Sequence, residues 1–360
     1  MKTTELPRWA SAILLPVLNL LSALLVAALV IKLLGESPFE SLTILINSAV
    51  INPEGLAYTL FYASTFIFTG LSVSIAMKAG LFNIGSEGQM YLGGLGLTLV
   101  MLSFDASMAA WLLIPAAMLA SAVFGAAWAF LPGYLQARRG SHVVVTTIMF
   151  NFIAASLMNF IIVKYLIPDG EQNPASRPFA ESGALPRLAE WFPVLGDTPL
   201  NLSFLLALAA LAIYGIVIQR SAWGYGLRAT GLNPHAAHYA GIAIGRTIIV
   251  AMLISGALAG LASVNSIMGS THYLSLNFPA GAGFVGIAIA LMGRQHPVGI
   301  FLSAVLFGAL IQGGFDLSLE KPNIPQETFI FIQGLIILFC GAMEHLYAPA
   351  LLRLINLRKG

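Results

Sequence analysis

The sequence predicts an all-α protein that crosses a lipid bilayer several times as a bundle of helices. Only 9% of its 360 residues are charged and 58% are hydrophobic, with a mean hydropathy of +0.87, whereas a soluble domain has about 25% charged residues. Apolar runs long enough to span a membrane, about 20 residues each, recur along the chain. They are continuous and lack the alternation of a transmembrane β-barrel.

We expect about ten spans, which together form one transmembrane domain over residues 1–360. Their approximate limits are 11–34, 55–77, 81–102, 108–131, 142–166, 201–219, 247–269, 282–293, 298–315 and 327–348. The first exceeds the roughly 7–15 apolar residues of a signal peptide, so we interpret it as a retained helix. The third is interrupted and the eighth is short, so each is expected to be a broken or re-entrant segment.

The distribution of charge predicts how the spans are oriented. With the N-terminus in the cytoplasm, 12 of the 17 Lys and Arg residues fall on the cytoplasmic side, as the positive-inside rule requires. The same arrangement places 12 of the 15 acidic residues outside. Both termini are therefore expected to be cytoplasmic, with a long outer loop at about 168–200 and a long inner loop at about 220–246.

The third span carries polar residues where a membrane helix is usually apolar. Asn83, Ser86, Glu87 and Gln89 lie within GLFNIGSEGQMYLGG. Ser86 and Gln89 fit a capping box, which predicts that a helix begins at Ser86, and Asn83 suits non-helical backbone before it. Glu87 then lies in the first helical turn, where the helix dipole favours an anion. Non-helical backbone at this depth requires protein or a water-filled cavity around it.

Glu87 has two explanations that the sequence leaves open. A charge inside the membrane costs a few kcal/mol on insertion scales, so Glu87 needs a compensating role. It is either a structural residue, tied to the start of the half-helix and to a neighbouring helix, or a residue that contacts a permeating solute.

Small and polar residues recur at every fourth position of two other spans. One row consists of Thr147, Asn151, Ala155 and Asn159, and the other of Ser255, Ala259 and Ser263, beside Gly256-x-x-x-Gly260. Such rows are typical of close helix packing, and the alternative is that they line a polar path. The candidates for a translocation path or a broken-helix site are therefore Asn83, Ser86, Glu87, Gln89, Thr147 and Asn151.

The inner loop contains a short helix with start and stop signals. Asn233 can cap it, Pro234 fits its first position and Gly241 fits just after its end. Fewer than two turns lie between them, and a helix this short is unstable alone in water, so it needs a surface on which to dock. That surface is either the protein's own membrane region or a cytoplasmic partner. For a partner, Ala236 and Ala237 would keep one face small and Tyr239 would be the anchor, since aromatic residues are enriched in interface hot spots.

Four segments carry a resemblance to a known family. In chain order they read GLFNIGSEGQMYLGG, LPGYLQARRGSHVVVTTIMFNFIA, GLRATGLNPHAAHYAGI and GFVGIAIALMGRQHPVGIFLSAVLFGAL. They are similar to permease subunits of bacterial ABC importers of the branched-chain amino acid and simple-sugar permease family, in particular the nucleoside-type permeases. The resemblance extends from about residue 55 to 345. One departure is Ser141–His142, where the resemblance leads us to expect Asn–Glu.

The resemblance implies a function and partners. The chain would be the membrane-spanning subunit of an ATP-binding-cassette importer in a bacterial inner membrane, and would form the path of a nucleoside or related simple sugar. Its partners would be a cytoplasmic ATPase that carries ATP and Mg²⁺, a second permease subunit (a related chain or another copy of this one) and an extracytoplasmic solute-binding protein. The Arg-Ala-x-Gly-x-Asn-Pro segment would meet the ATPase. With the short helix, the expected ATPase-coupling residues are Arg228, Ala229, Gly231, Asn233, Pro234, His235, Ala236, Ala237, Tyr239 and Gly241.

Absent motifs bear on the other classes of function. The sequence has no Gly-x-x-x-x-Gly-Lys-[Ser/Thr] for ATP, no His-Glu-x-x-His, no Gly-x-Ser-x-Gly and one cysteine, Cys340. We therefore expect no catalytic residue, metal site or cofactor on this chain, and no nucleic-acid partner. The alternative function is a secondary transporter of a small polar solute, because broken helices are typical of that class. The lack of a series of charged intramembrane residues argues against it.

Overall fold

The computed structural model describes residues 14–339 and the isolated residues 7, 349 and 352. Residues 14–339 are mainly helical and contain no β-strand, as the sequence predicts. Cys340, the start of the first expected span and the end of the last one lie outside the described residues.

The helices of the described chain follow one another with mostly short connections. They are α1 Leu15–Leu33, α2 Pro38–Ile46, α3 Pro53–Lys78, α4 Ser86–Phe104, α5 Ala110–Arg139, α6 Val143–Ile161, α7 Ser203–Arg220, α8 Ala222–Leu232, α9 Pro234–Tyr239, α10 Ile244–Ser266, α11 Ala282–Met292, α12 Pro297–Glu320 and α13 Glu327–Phe339. Helices α2, α6 and α10 each continue into one wider π-helical turn. The outer loop contains only short 3₁₀ turns between α6 and α7.

Six of the described helical segments are long and apolar enough to cross a membrane. They contain α3, α5, α6, α7, α10 and α12. The eighth expected span is the 11-residue helix α11, and the helix of the third begins only at Ser86, so the shortness of the eighth and the interruption of the third are confirmed. That either segment is re-entrant stays a prediction. Ten spans in total stays a prediction.

The chain divides into two compact units. One comprises the described residues up to Thr59 together with the described residues from Leu306 onward, and the other comprises Leu60–Val305. The first unit includes α2, which was not expected from the sequence. In that unit the Lys321 ammonium lies 3.0 Å from a carboxylate oxygen of Glu40 and 3.4 Å from one of Glu36.

In the second unit, α10 packs against α4 and α5 through glycines. A methyl group on Gly93 of α4 would overlap Gly260, and one on Gly125 of α5 would overlap Gly256. The Ser121 hydroxyl donates to the Gly260 carbonyl oxygen at 2.6 Å. The Gly256-x-x-x-Gly260 motif therefore lets helix backbones approach closely, as expected of small residues in membrane helices.

Helix α6 buries a different face from the predicted row. Thr147 and Asn151 are buried, but Ala155 and Asn159 are exposed, so these last two do not pack within the described chain, and the alternative that they line a polar path stays a prediction. A helix has 3.6 residues per turn, so a strict spacing of four moves about 40° around the helix at each step. The buried face instead returns at Met158.

Candidate functional site

A glycine terminates helix α3 at the start of the break between α3 and α4. Gly80 has a φ of +76°, and the N–H of Leu81 donates to the carbonyl oxygen of Ala76 at 3.0 Å. This is a Schellman cap, which the left-handed glycine permits. The non-helical chain then runs to Ser86, where α4 begins, so the predicted helix start is confirmed.

The capping box predicted at this start is wrong. Ser86 is itself helical, Gly85 precedes the helix and no side chain caps this end. Asn83 instead organises the turn: its Oδ1 accepts from the Gly85 N–H at 2.8 Å, and its Nδ2 donates to Gln89 Oε1 at 3.0 Å. The Ser86 hydroxyl is 2.9 Å from the hydroxyl of Ser72 in α3.

A serine of α10 completes this buried polar cluster. Asn83 Nδ2 also donates to the Ser255 hydroxyl at 2.8 Å, and that hydroxyl donates to the Ser72 carbonyl oxygen at 2.7 Å. The sequence placed Ser255 in a row that suits helix packing or, alternatively, a polar path, and it did not indicate Ser72. The cluster therefore links the break to α3, α4 and α10.

Asn151 of α6 satisfies the backbone on both sides of the helix start. Its Nδ2 donates to the Ile84 carbonyl oxygen and its Oδ1 accepts from the Gly88 N–H, both at 2.9 Å. Thr147, one turn earlier, lies beside Gly85 and donates within its own helix. The structure thus brings together Asn83, Ser86, Gln89, Thr147 and Asn151.

We expect Asn151→Ala to destabilise the protein by roughly 2 kcal/mol or more, because it leaves two buried backbone groups without partners. Asn159→Ala is the matched control, since Asn159 lies on the exposed side of the same helix and its loss should be nearly neutral. Thermal unfolding of both variants in detergent measures the difference. Equal midpoints for the two variants would show that Asn151 does not support the break.

Glu87 joins the N-termini of two helices. It lies in the first turn of α4 and is 6% exposed. Its two carboxylate oxygens accept from the N–H groups of Gly281, at 2.9 Å, and Gly283, at 2.8 Å. These N–H groups belong to the start of α11, whose unsatisfied donors and positive dipole end favour an anion. A side chain on Gly283 would overlap the backbone of Glu87.

The environment of Glu87 favours the structural explanation of its charge, because backbone donors engage both carboxylate oxygens. One turn further along α4, the Tyr91 hydroxyl donates to Asn277 Oδ1 at 2.9 Å, and its ring packs edge-on against Phe278. No sequence motif pointed to these three residues. Whether the Glu87 carboxylate also contacts solute stays a prediction.

The short helix of the inner loop forms as its capping signals predict. Asn233 Oδ1 accepts from the Ala236 N–H at 3.1 Å, and Pro234 is the first residue of α9. Gly241 has a φ of +81°, and the following N–H, of Ile242, returns to the carbonyl oxygen of Ala237 at 3.0 Å. The predicted start and end of this helix are confirmed.

One residue of helix α9 packs against α8 and α10, and the other residues of the helix are exposed. Tyr239 is 92% exposed and Leu232, just before the helix, is 88% exposed. Ala237 is only 2% exposed, because this side of the helix faces its own chain. The expectation that Ala237 forms part of the partner-facing side is therefore wrong, whereas His235 and Ala236 are exposed.

The remaining residues of the expected coupling segment lie in α8 and around the ends of α9. Arg228, Ala229 and Gly231 belong to α8 and are half-buried, while Asn233, Pro234 and Gly241 are exposed around α9. The sequence did not indicate Leu232, because its exposure is visible only in the structure.

The outer loop is anchored to the end of α4 by a partly buried ion pair. Asp105 accepts from the two terminal nitrogens of Arg177 at 2.7 and 3.0 Å, and from the Ala180 N–H at 3.1 Å. The hydrogen bonds from Arg177 hold the pKa of the Asp105 carboxyl below its ordinary value. Asp105 and the loop therefore lie on the same side of the helices, as the predicted orientation requires.

We expect Asp105→Asn to speed proteolysis of the outer loop at pH 7 by on the order of tenfold. The expected factor is at the low end because Arg177 is half exposed, and solvent weakens its ion pair with Asp105. A carboxyl with a depressed pKa contributes stability above its unfolded pKa, about 3.9, and loses it as pH falls through the folded value. The unmodified loop should therefore loosen only below about pH 4. Asp197→Asn is the control, because Asp197 is exposed. Equal cleavage of both variants would contradict the anchor.

Three relatives are similar to this chain over most of its length. Guanosine ABC transporter permease protein NupP of Bacillus subtilis (strain 168) is 34% identical over 335 residues, 92% of this chain and 94% of NupP. Glucose ABC transporter permease protein TsgB13 of Haloferax volcanii is 32% identical over 333 residues, 91% and 87% of the two chains. Guanosine ABC transporter permease protein NupQ of the same Bacillus subtilis strain is 29% identical over 279 residues, 74% and 85%.

The family match covers both the break and the inner helix. Residues 55–341 match the family described as branched-chain amino acid transport system/permease component, which confirms the resemblance expected from about residue 55 to 345. The chain belongs to this family of transport permeases.

Proposed function

We propose that this chain is the membrane-spanning subunit of an ATP-binding-cassette importer and forms the path of a nucleoside or related simple sugar. The observation that carries the proposal is the exposed helix α9. Two large side chains flank it and are almost fully exposed: Leu232, the last residue of α8, and Tyr239, the last residue of α9. Such surfaces mark interaction sites.

The partner that fits α9 is a cytoplasmic ATPase. The sequence contains no P-loop, and ATP and Mg²⁺ would be bound by that separate chain. A helix held to its own protein by one buried alanine and capped at both ends keeps its shape while it docks. This chain would then perform no catalysis and would form the translocation path, which changes conformation during transport.

The solute path would run beside the break between α3 and α4. Buried amide and hydroxyl groups of Asn83, Gln89 and Ser255 converge there, and polar groups near broken helices are typical of transport sites. Guanosine and glucose, which occur in the names of two relatives, both carry ring hydroxyls, which polar groups along such a path would bind. The Tyr91–Phe278 aromatic pair nearby favours a solute with a flat base, hence a nucleoside.

The other partners follow from the same class of importer. NupP and NupQ are both described as guanosine permeases of one bacterium, so we propose a related chain as the second permease subunit, with a self-copy as the alternative. A solute-binding protein outside the cell would deliver the solute. Residues 1–360 would act as one permease domain in the bacterial inner membrane, with both termini cytoplasmic.

Thiol labelling tests this orientation. We expect Gln172→Cys to react with an impermeant reagent in intact cells and His235→Cys to react only after permeabilisation, in a background with Cys340 replaced by serine. Both positions are exposed in the structure, so access to them depends on the side of the membrane. Labelling of His235→Cys in intact cells would show that the orientation is the opposite of the proposed one.

Competition for uptake tests the solute class. Cells that express the complete importer would take up labelled guanosine, and we expect unlabelled nucleosides to compete while leucine does not. Glucose as competitor distinguishes a sugar path from a nucleoside path. The family includes branched-chain amino acid systems. If leucine or another amino acid abolishes the uptake and nucleosides do not, the proposal is contradicted.

A further inference from the structure

We propose that a backbone contact between Gly80 and Gly231 transmits movement of the ATPase-facing segment to the broken helix. The inference rests on the proposed function and identifies the residues through which coupling passes. Gly231 lies at the end of α8, two residues before the Asn233 cap of α9. Gly80 is the second residue after α3, at the start of the break.

The two backbones touch without any side chain between them. A methyl group on Gly231 would overlap the carbonyl oxygen of Lys78 and lie 2.9 Å from the nitrogen of Gly80. A methyl group on Gly80 would lie 3.2 Å from the Cα of Gly231. Rotation of a side chain cannot absorb a displacement at such a contact, so close-packed backbone passes the displacement on.

Each side of the contact is mechanically continuous with a functional element. On the inner side, the Asn233 cap fixes the start of α9 within two residues of Gly231. On the other side, Asn83 follows Gly80 by three residues and holds Gln89 of α4 and Ser255 of α10. Glu87 then carries the connection to α11 through its two backbone hydrogen bonds. A shift of α9 would therefore reach the half-helices α4 and α11 by way of Gly80.

The same helix offers a matched control glycine. Gly226 also lies in α8, but a methyl group there would lie 3.7 Å from the nearest side-chain atom, Cγ2 of Ile242, which is an ordinary van der Waals distance. Gly226→Ala and Gly231→Ala are the same chemical change in the same helix, and both favour helix formation, Gly226 inside α8 and Gly231 in its last turn. They differ in whether the new methyl group pushes on the break.

The decisive experiment uses the complete importer in proteoliposomes and measures ATPase binding, ATP hydrolysis and solute uptake. We expect Gly231→Ala to bind the ATPase and hydrolyse ATP but to lose uptake roughly tenfold, within the range that coupling mutations produce. Gly226→Ala should transport like the unmodified protein. Uptake by Gly231→Ala equal to that of Gly226→Ala would overturn the linkage.

Hydrogen exchange of the unmodified importer gives a second measurement, which decides the matter even if Gly231→Ala does not fold. We expect the amides of residues 79–85 to change protection on addition of ATP together with those of residues 229–241. A nucleotide-dependent change confined to 229–241 would overturn the linkage. An unmodified complex without ATP-dependent uptake would instead contradict the proposed function, so the two failures are distinguishable.

Discussion

Glu87→Leu will reduce the amount of folded protein sharply, while the molecules that do fold will keep the same solute preference. The carboxylate accepts hydrogen bonds from the N–H groups of Gly281 and Gly283, and leucine removes the partner of both donors at the start of α11, one of them buried and the other half-buried. Hydrogen bonds to a charged group contribute about 1.5–3 kcal/mol each, so a loss on the order of 3 kcal/mol is expected.

The substitution Glu87→Gln refines this prediction. Both carboxylate oxygens accept a hydrogen bond, whereas the amide of a glutamine at this position would offer one acceptor and present an NH₂ group to the other backbone donor. The order of stability is therefore the unmodified protein, then Glu87→Gln, then Glu87→Leu. The geometry therefore gives glutamine an intermediate effect.

Fluorescence-detected gel filtration and uptake competition measure folding and solute preference separately. Glu54→Leu is the matched control, because Glu54 is also an acid in the first turn of a helix but is exposed. If Glu87→Leu is made at normal levels and transports a different range of solutes, Glu87 contacts the solute and the structural explanation is wrong.

Tyr239→Asp and Ala236→Arg are expected to abolish stable ATPase binding without unfolding the permease. Both side chains are exposed on α9, and loss of an interface hot spot costs at least about 2 kcal/mol, or roughly 30-fold in affinity. Thermal midpoints should stay unchanged. Tyr239→Phe keeps the ring and should bind nearly normally.

Ala237→Arg separates docking from folding. Ala237 is buried, so an arginine there places an unpaired charge in the protein and should lower stability before it affects docking. Pull-down of the ATPase and thermal unfolding, measured on all four variants, distinguish the two effects. Full pull-down and full transport by both Tyr239→Asp and Ala236→Arg would remove α9 from the interface and favour a secondary transporter.

Local signals in the sequence predicted local structure correctly. Asn233, Pro234 and Gly241 act within a few residues of themselves, through a side-chain cap, a fixed φ and a left-handed turn. The break before Ser86 was predictable for the same reason, because glycines and Asn83 weaken a helix wherever they occur. Composition likewise sufficed for the all-helical membrane class.

Contacts between distant segments were not predictable. Glu87 meets Gly281 across 194 residues and Asn151 meets Gly88 across 63, and a periodic pattern gives the buried face of a helix but not its neighbour. The capping box failed because tertiary partners claimed its side chains: Gln89 bonds to Asn83 and Ser86 to Ser72. Ala237 was misassigned because small residues suit both an interface and a tight intramolecular contact.

A measurement of the energy source for uptake tests most directly whether this chain is the permease subunit of an ATP-driven importer. The purified importer, with its ATPase, second permease subunit and binding protein, would be reconstituted in proteoliposomes with ATP or a non-hydrolysable analogue on the ATPase side. We predict accumulation of labelled nucleoside only with ATP, and none when the ATPase is left out. Accumulation by this chain without the ATPase, driven by a proton or sodium gradient, would contradict the claim.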